Sequence, residues 1–103
     1  MGRFAPSPSG RMHLGNALTA LLAWLSVKSR GGRFVLRIED LDPARCRPEY
    51  ARQLMDDLCW LGLTWDEGPG ACEANAPYFQ SQCTPYYEAA LARRRCAGPV
   101  YPC

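Results

Sequence analysis

At 103 residues, 48% of them hydrophobic and 21% charged, the chain has ordinary globular composition and room for one small domain, which excludes a disordered tail. Twelve Lys and Arg against ten Asp and Glu leave a net charge of +2, too weak a field to mark a nucleic-acid binder, so any basic site is local. No apolar run approaches the roughly 20 residues of a membrane span, and six cysteines without a signal peptide or a close CxxC pair point to a reducing cytosol rather than a disulfide framework or a closed zinc site.

In chain order, Arg3 to Ala5 reads as a short strand, which Pro6 and Pro8 turn away from any helix. From Leu14 a helix follows: Leu14, Ala17, Leu18, Leu21, Leu22 and Leu25 recur at helical spacing, Lys28 and Arg30 make a basic last turn, and Gly31 and Gly32 stop it. Phe34, Val35, Leu36 and Ile38 form the apolar run of a buried strand, with Glu39, Asp40 and Asp42 at its carboxyl end. Pro48 opens a second amphipathic helix through Tyr50, Leu54, Leu58 and Leu61 to Gly62. Leu63 to Pro77 reads as a loop. A third helix is expected over Ser81 to Arg95, with Thr84 and Pro85 as an alternative cap and first position. Strand alternating with helix implies parallel strands, an α/β sheet, and a ligand at the strands' carboxyl ends.

Both polar clusters fall at that end, where they are expected to face one pocket. A strand passing through Ser9 and Gly10 into a helix presents unpaired N–H groups and a positive dipole end, which suit a phosphate, and Gly10 and Gly15 admit a nucleotide close to the backbone. His13 at the helix mouth either caps the helix or donates to phosphoryl oxygens as charge develops. Arg3 is either a surface arginine or a bidentate clamp on a carboxylate. Glu39 is either a solvated strand end beside Asp40, with Asp42 turning the chain before Pro43, or the partner of an amine; Ser7 adds a neutral hydrogen bond. Arg93 to Arg95 read as a solvated helix end, and Trp60, Trp65, Tyr78, Phe79, Tyr86 and Tyr87 as core or interface aromatics.

RFAPSPSGRMHLGN, with FVLRIEDLD, WLGLTWDEGP and YFQSQ after it in order, resembles the glutamyl branch of the class I aminoacyl-tRNA synthetases, whose HIGH signature stands here as His13, Leu14, Gly15 and Asn16. The forms HLGN, LLAWL, DLDPARCRPEYA and VYPC are most similar to the short glutamyl-Q tRNA(Asp) type. The resemblance implies a Rossmann-like catalytic domain that activates L-glutamate with ATP and magnesium without tRNA, then attaches it to queuosine in the anticodon of tRNA(Asp). It implies glutamate recognition by Arg3, Phe4, Ala5, Pro6, Ser7 and Glu39, and ATP contacts from Pro6, Ser7, His13, Gly15 and Asn16. Cys103 matches the first cysteine of the family's zinc site, so zinc is expected only in a longer protein. On this reading residues 1–103 are the amino-terminal portion of the domain, lacking the lysine signature, with an open sheet edge and an uncovered apolar face; the full-length protein is expected to be a cytoplasmic monomer. The alternatives are a conventional glutamyl-tRNA synthetase and a non-catalytic nucleotide-binding remnant.

Overall fold

The computed structural model describes residues 1–102, so Cys103 and the zinc ligand expected there lie outside it. Two short strands, β1 (Gly2–Phe4) and β2 (Phe34–Leu36), run parallel in the register Gly2↔Phe34, Arg3↔Val35, Phe4↔Leu36. The helix α1 (Leu14–Lys28) makes the crossover between them. The α/β parallel arrangement expected from the alternating pattern is therefore present.

The stretch read as a loop does more than connect. Asp66 and Glu67 hydrogen-bond to the other edge of β2: the Leu36 N–H donates to the Glu67 carbonyl at 2.9 Å, and the Asp66 N–H to the Phe34 carbonyl at 2.9 Å. Farther along, the Ile38 N–H donates to the Tyr78 carbonyl and the Gln80 N–H to the Ile38 carbonyl, each at 2.8 Å. A third, interrupted parallel segment thus flanks β2. Gly68 is needed at the interruption, because its φ is 143° and a Cβ there would stand 2.7 Å from the Leu36 carbonyl oxygen.

The core gathers Phe4, Phe34, Leu36 and Ile38 from the sheet region with Ala51, Leu54 and Leu58 from the helix α2 (Pro48–Trp60), and Leu63 closes it. Ala20 is the fully buried residue of α1, with Ala23, Trp24 and Val27 packed around it. The helix forms where its leucine periodicity predicts, but its inward face is the alanine side. Small residues let the helix axis come close to the strands, which leucines there would prevent. Leu14, at 86% exposure, and the other leucines face outward.

Residues Gln80–Cys83 form a 3₁₀ turn, and α3 (Thr84–Ala97) follows, so the expected third helix begins three residues late. Cys83 is its cap residue and Pro85 lies in its first turn, which that turn tolerates because its N–H groups have no intrahelical acceptor. No residue of α3 is buried; a hydrogen bond of 2.8 Å from Arg37 Nη2 to the Tyr87 hydroxyl ties it to the sheet. The core reading of the aromatics holds for Tyr78 but not for Trp60, which is 86% exposed, nor for the exposed Tyr86 and Tyr87.

One ion pair and an indole hydrogen bond fasten α1 to the third segment. Lys28 Nζ lies 2.6 Å from Asp66 Oδ2, the same carboxylate accepts the Phe34 N–H at 2.7 Å, and the Trp24 indole donates to the Thr64 carbonyl at 2.9 Å. The hydrogen bond from Lys28 is the largest cause holding the Asp66 carboxyl below its ordinary value, the Phe34 N–H the next. A depressed carboxyl stabilises the fold while it is ionised. This contribution is complete above the ordinary value of 3.8 and declines as pH falls through the folded value. Asp66→Asn is expected to cost about 1 kcal/mol at neutral pH, since the pair is partly solvated, and to flatten the loss of urea stability as pH falls below about 4.

Candidate functional site

Extended backbone from Arg3 to Ser9 alternates in exposure. Phe4, Pro6 and Pro8 are buried, whereas Arg3, Ala5, Ser7 and Ser9 face outward, the period-two pattern of an extended chain. Phe4 and Pro6, placed at glutamate by the resemblance, therefore turn their side chains into the core and meet the site only through backbone: the Pro6 carbonyl accepts the Glu39 N–H at 2.9 Å, and the Phe4 carbonyl accepts the Arg37 N–H at 3.0 Å. Arg3, Ala5 and Ser7 form one outward row.

Ser7 and Glu39 meet in a cavity of about 270 Å³, whose wall also includes Ser9, Asp42, Arg45, Cys46 and Gln80. The cavity is mixed in charge. Glu39 is held on its backbone from two sides, by Pro6 and by the Cys46 thiol, whose sulfur is 3.8 Å from the Glu39 carbonyl. Asp40, read as a solvated strand end, instead accepts the Ser81 N–H and the Ser81 hydroxyl, each at 2.8 Å, and so locks the end of β2 to the 3₁₀ turn. Asp42 makes the expected turn, accepting the Ala44 N–H at 3.1 Å, and its carboxylate lies 3.7 Å from Arg45 Nε. Arg3 does not line this cavity; it stands at the start of the row that leads to it.

His13 caps α1. Its Nδ1 accepts the Gly15 N–H at 3.2 Å, and its carbonyl accepts the Ala17 N–H at 3.1 Å. With Nδ1 occupied as an acceptor, the neutral ring carries its proton on Nε2, which is left free to donate to a ligand at the helix mouth. The capping and donating readings are thus compatible in one residue. A Cβ at Gly15 would stand 3.1 Å from the imidazole, so glycine lets the ring sit over the helix mouth without being pushed aside. Asn16 follows on the first turn, half-buried.

The two polar clusters do not share one cavity. His13 lines another, open cavity of about 280 Å³ with Arg11, Asp57 and Trp60. Arg11 and the end of α2 were not singled out by the sequence, because nothing in local spacing brings Asp57 or Trp60 to His13. Among the described residues no group of three His, Cys, Asp or Glu side chains is placed to hold a metal ion, so the residues present do not fit a zinc centre.

These placements can be set against known proteins. The model of the family described as tRNA synthetases class I (E and Q), catalytic domain, matches residues 1–95. A curated relative from Symbiobacterium thermophilum, named glutamyl-Q tRNA(Asp) synthetase, is 59% identical over 99% of this chain and 32% of its own length. One from Alkalilimnicola ehrlichii, named glutamate–tRNA ligase 2, is 52% identical over 98% of this chain and 21% of its own. Among solved structures, a glutamate tRNA ligase from Elizabethkingia meningosepticum in complex with its amino acid superposes with a TM-score of 0.82 at 43% identity, covering 88% of this chain and 18% of that one. The chain thus spans about a third or less of the proteins it matches. Since the family's model covers nearly all of its residues and the parallel sheet with its capped crossover helix agrees, the chain belongs to the class I tRNA synthetases for glutamate and glutamine, as part of their catalytic domain.

Proposed function

We propose that residues 1–103 are the amino-terminal portion of a catalytic domain that activates L-glutamate with ATP, and that the complete protein passes the glutamate to the queuosine base in the anticodon of tRNA(Asp). The observation that carries this reading is the outward row Arg3, Ala5, Ser7 running to the Glu39 cavity beside the His13-capped mouth of α1. The two relatives named for the queuosine-linked activity, at 59% and 52% identity, support the finer assignment.

In this account Arg3 clamps a carboxylate of the substrate, Glu39 receives its ammonium group and Ser7 donates a hydrogen bond. The reacting glutamate carboxylate attacks the α-phosphorus of ATP, an acyl–phosphate bond forms, and pyrophosphate leaves with the electron pair of the broken P–O bond. Negative charge spreads over the phosphoryl oxygens as this happens. The Nε2–H of His13 and the free N–H groups at the α1 mouth meet that charge. Magnesium accompanies the ATP phosphates and offsets their charge. The separate cavities then suit the separate tasks of holding the amino acid and holding the triphosphate. Five unpaired thiols among the described residues fit a cytosolic setting.

A second reading, a conventional glutamyl-tRNA synthetase, is favoured by the 52% identical ligase from Alkalilimnicola. Glutamate-dependent exchange of pyrophosphate into ATP by the complete protein separates the two. Exchange without tRNA is the expected result; exchange that requires tRNA selects the conventional enzyme, and none under either condition refutes both. In the same assay Arg3→Ala is expected to weaken glutamate binding by about 1.5–3 kcal/mol while leaving the KM for ATP nearly unchanged. An equal loss for both substrates would make Arg3 structural.

A further inference from the structure

The segments of the sheet keep their register beyond the regular strands. Phe4 pairs with Leu36, and the 2.9 Å bond from the Glu39 N–H to the Pro6 carbonyl carries the same ladder on, which sets Pro6 beside Ile38 and Ser7 beside Glu39. On the other edge Ile38 is bridged to Phe79, its N–H donating to the Tyr78 carbonyl and its carbonyl accepting the Gln80 N–H. Gln80 is therefore the neighbour of Glu39 across the sheet.

Successive side chains of an extended chain point to opposite faces. Pro6 and Ile38 are buried and Phe79 packs against the core, so the residues that follow them, Ser7, Glu39 and Gln80, stand side by side on the outer face and line one cavity. The row is firmly mounted. One step further along, the Asp40 carboxylate accepts the Ser81 N–H and hydroxyl at 2.8 Å each, which fastens the residue after Glu39 to the residue after Gln80. The Gln80 N–H is engaged by the sheet, and its side-chain amide is the donor and acceptor group it can offer a ligand.

Of the other charged groups in the wall, Asp42 and Arg45 lie 3.7 Å from each other, while Glu39 has no ion pair among the described residues. A carboxylate without a cation beside a neutral amide suits a primary ammonium group. Such a group carries three N–H donors, more than one carboxylate oxygen can accept, and an amide oxygen takes another without adding charge. We infer that Gln80 is a further substrate-binding residue, its amide oxygen accepting a hydrogen bond from the ammonium group that Glu39 receives. The inference rests on the glutamate-activating reading and adds to it a contact from the third segment.

Pyrophosphate exchange by the complete protein tests it, with glutarate, which has both carboxylates of glutamate and no ammonium, as a competing ligand. Gln80→Met is expected to raise the KM for glutamate roughly 10- to 100-fold, the range of one hydrogen bond to a charged group, while the KM for ATP, the inhibition constant of glutarate and the melting temperature stay nearly unchanged. Gln80→Glu keeps an acceptor oxygen and should bind glutamate better than Gln80→Met does. The inference is overturned if Gln80→Met leaves the glutamate KM unaltered, or if it weakens glutarate equally, which would make the residue part of the cavity's shape. A loss in Gln80→Glu as large as in Gln80→Met also overturns it, by making Gln80 a donor to a carboxylate. In each of these cases the unaltered protein still activates glutamate; absence of that exchange overturns the glutamate reading itself and this contact with it.

Discussion

Glu67→Ala is expected to lower the melting temperature of the chain by roughly 10–20 °C, because emptying a buried site and leaving a buried hydroxyl without its acceptor is one of the few ways a single substitution has a large effect. Glu67 is 3% exposed and sits at the joint between β2 and the third segment. Its Oε1 accepts hydrogen bonds from Asn75 Nδ2 at 2.6 Å and from the Tyr78 hydroxyl, and Arg33 Nη2 lies 3.2 Å from Oε2, near enough for an ion pair but out of line for a hydrogen bond. The hydrogen bond from Tyr78 is the main cause holding this carboxyl below its ordinary range, with Asn75 adding to it. Burial, and then the same hydrogen bond, push the Tyr78 phenol upward. Removing the carboxylate leaves the buried Tyr78 hydroxyl without its acceptor, while the exposed Asn75 and Arg33 turn to water. Glu67→Gln keeps the shape and an acceptor for Tyr78 and should lose less than half as much; equal losses in thermal melts would show that the charge, rather than the shape, matters at this joint. The sign with pH agrees with that of Asp66: both groups support the fold when ionised and stop doing so in acid.

At His13 two substitutions separate structure from chemistry. His13→Asn keeps a side chain that caps helices well, so the stability of α1 should be unaltered. It removes the imidazole Nε2–H, and loss of one donor to developing phosphoryl charge is expected to slow glutamate activation in the complete protein by about 100- to 1000-fold. His13→Ala removes the cap as well and should add about 1 kcal/mol of destabilisation to the same loss of rate. If His13→Asn retains the rate of the unaltered protein, His13 is a cap and nothing more. Thermal melts of each variant, read beside its rate of pyrophosphate exchange, make the comparison.

Much of this was legible in the residues. Leu14 through Lys28 announces a helix by spacing and by the glycines after it, and Pro48, Leu54 and Leu58 do so for α2. Spacing alone did not say which side of α1 faces inward, because that depends on how closely the strand behind it can approach, and Ala20 fits where Leu18 would not. Asp66 and Glu67 are too few to show a strand's alternation, so their pairing with β2 appears only in the fold. Asp40 and Ser81 are 41 residues apart, and no local rule joins them. The site followed the same division: Ser7, Glu39 and His13 stand out through the turn and the strand end that carry them, while Arg45, Gln80, Arg11 and Trp60 reach those cavities by tertiary folding.

The central claim is that glutamate and the adenylate phosphate meet this chain at the Ser7 and Glu39 cavity and at the mouth of α1. Heteronuclear NMR of the chain, titrated with a non-hydrolysable glutamyl-adenylate analogue, tests it most directly. The account predicts that the backbone signals of Ser7, Glu39, Gly15 and Asn16 shift together and saturate at one concentration of the analogue, while those of α3 stay in place. Shifts confined to other surfaces, or a folded chain whose spectrum does not respond to the analogue, would contradict it.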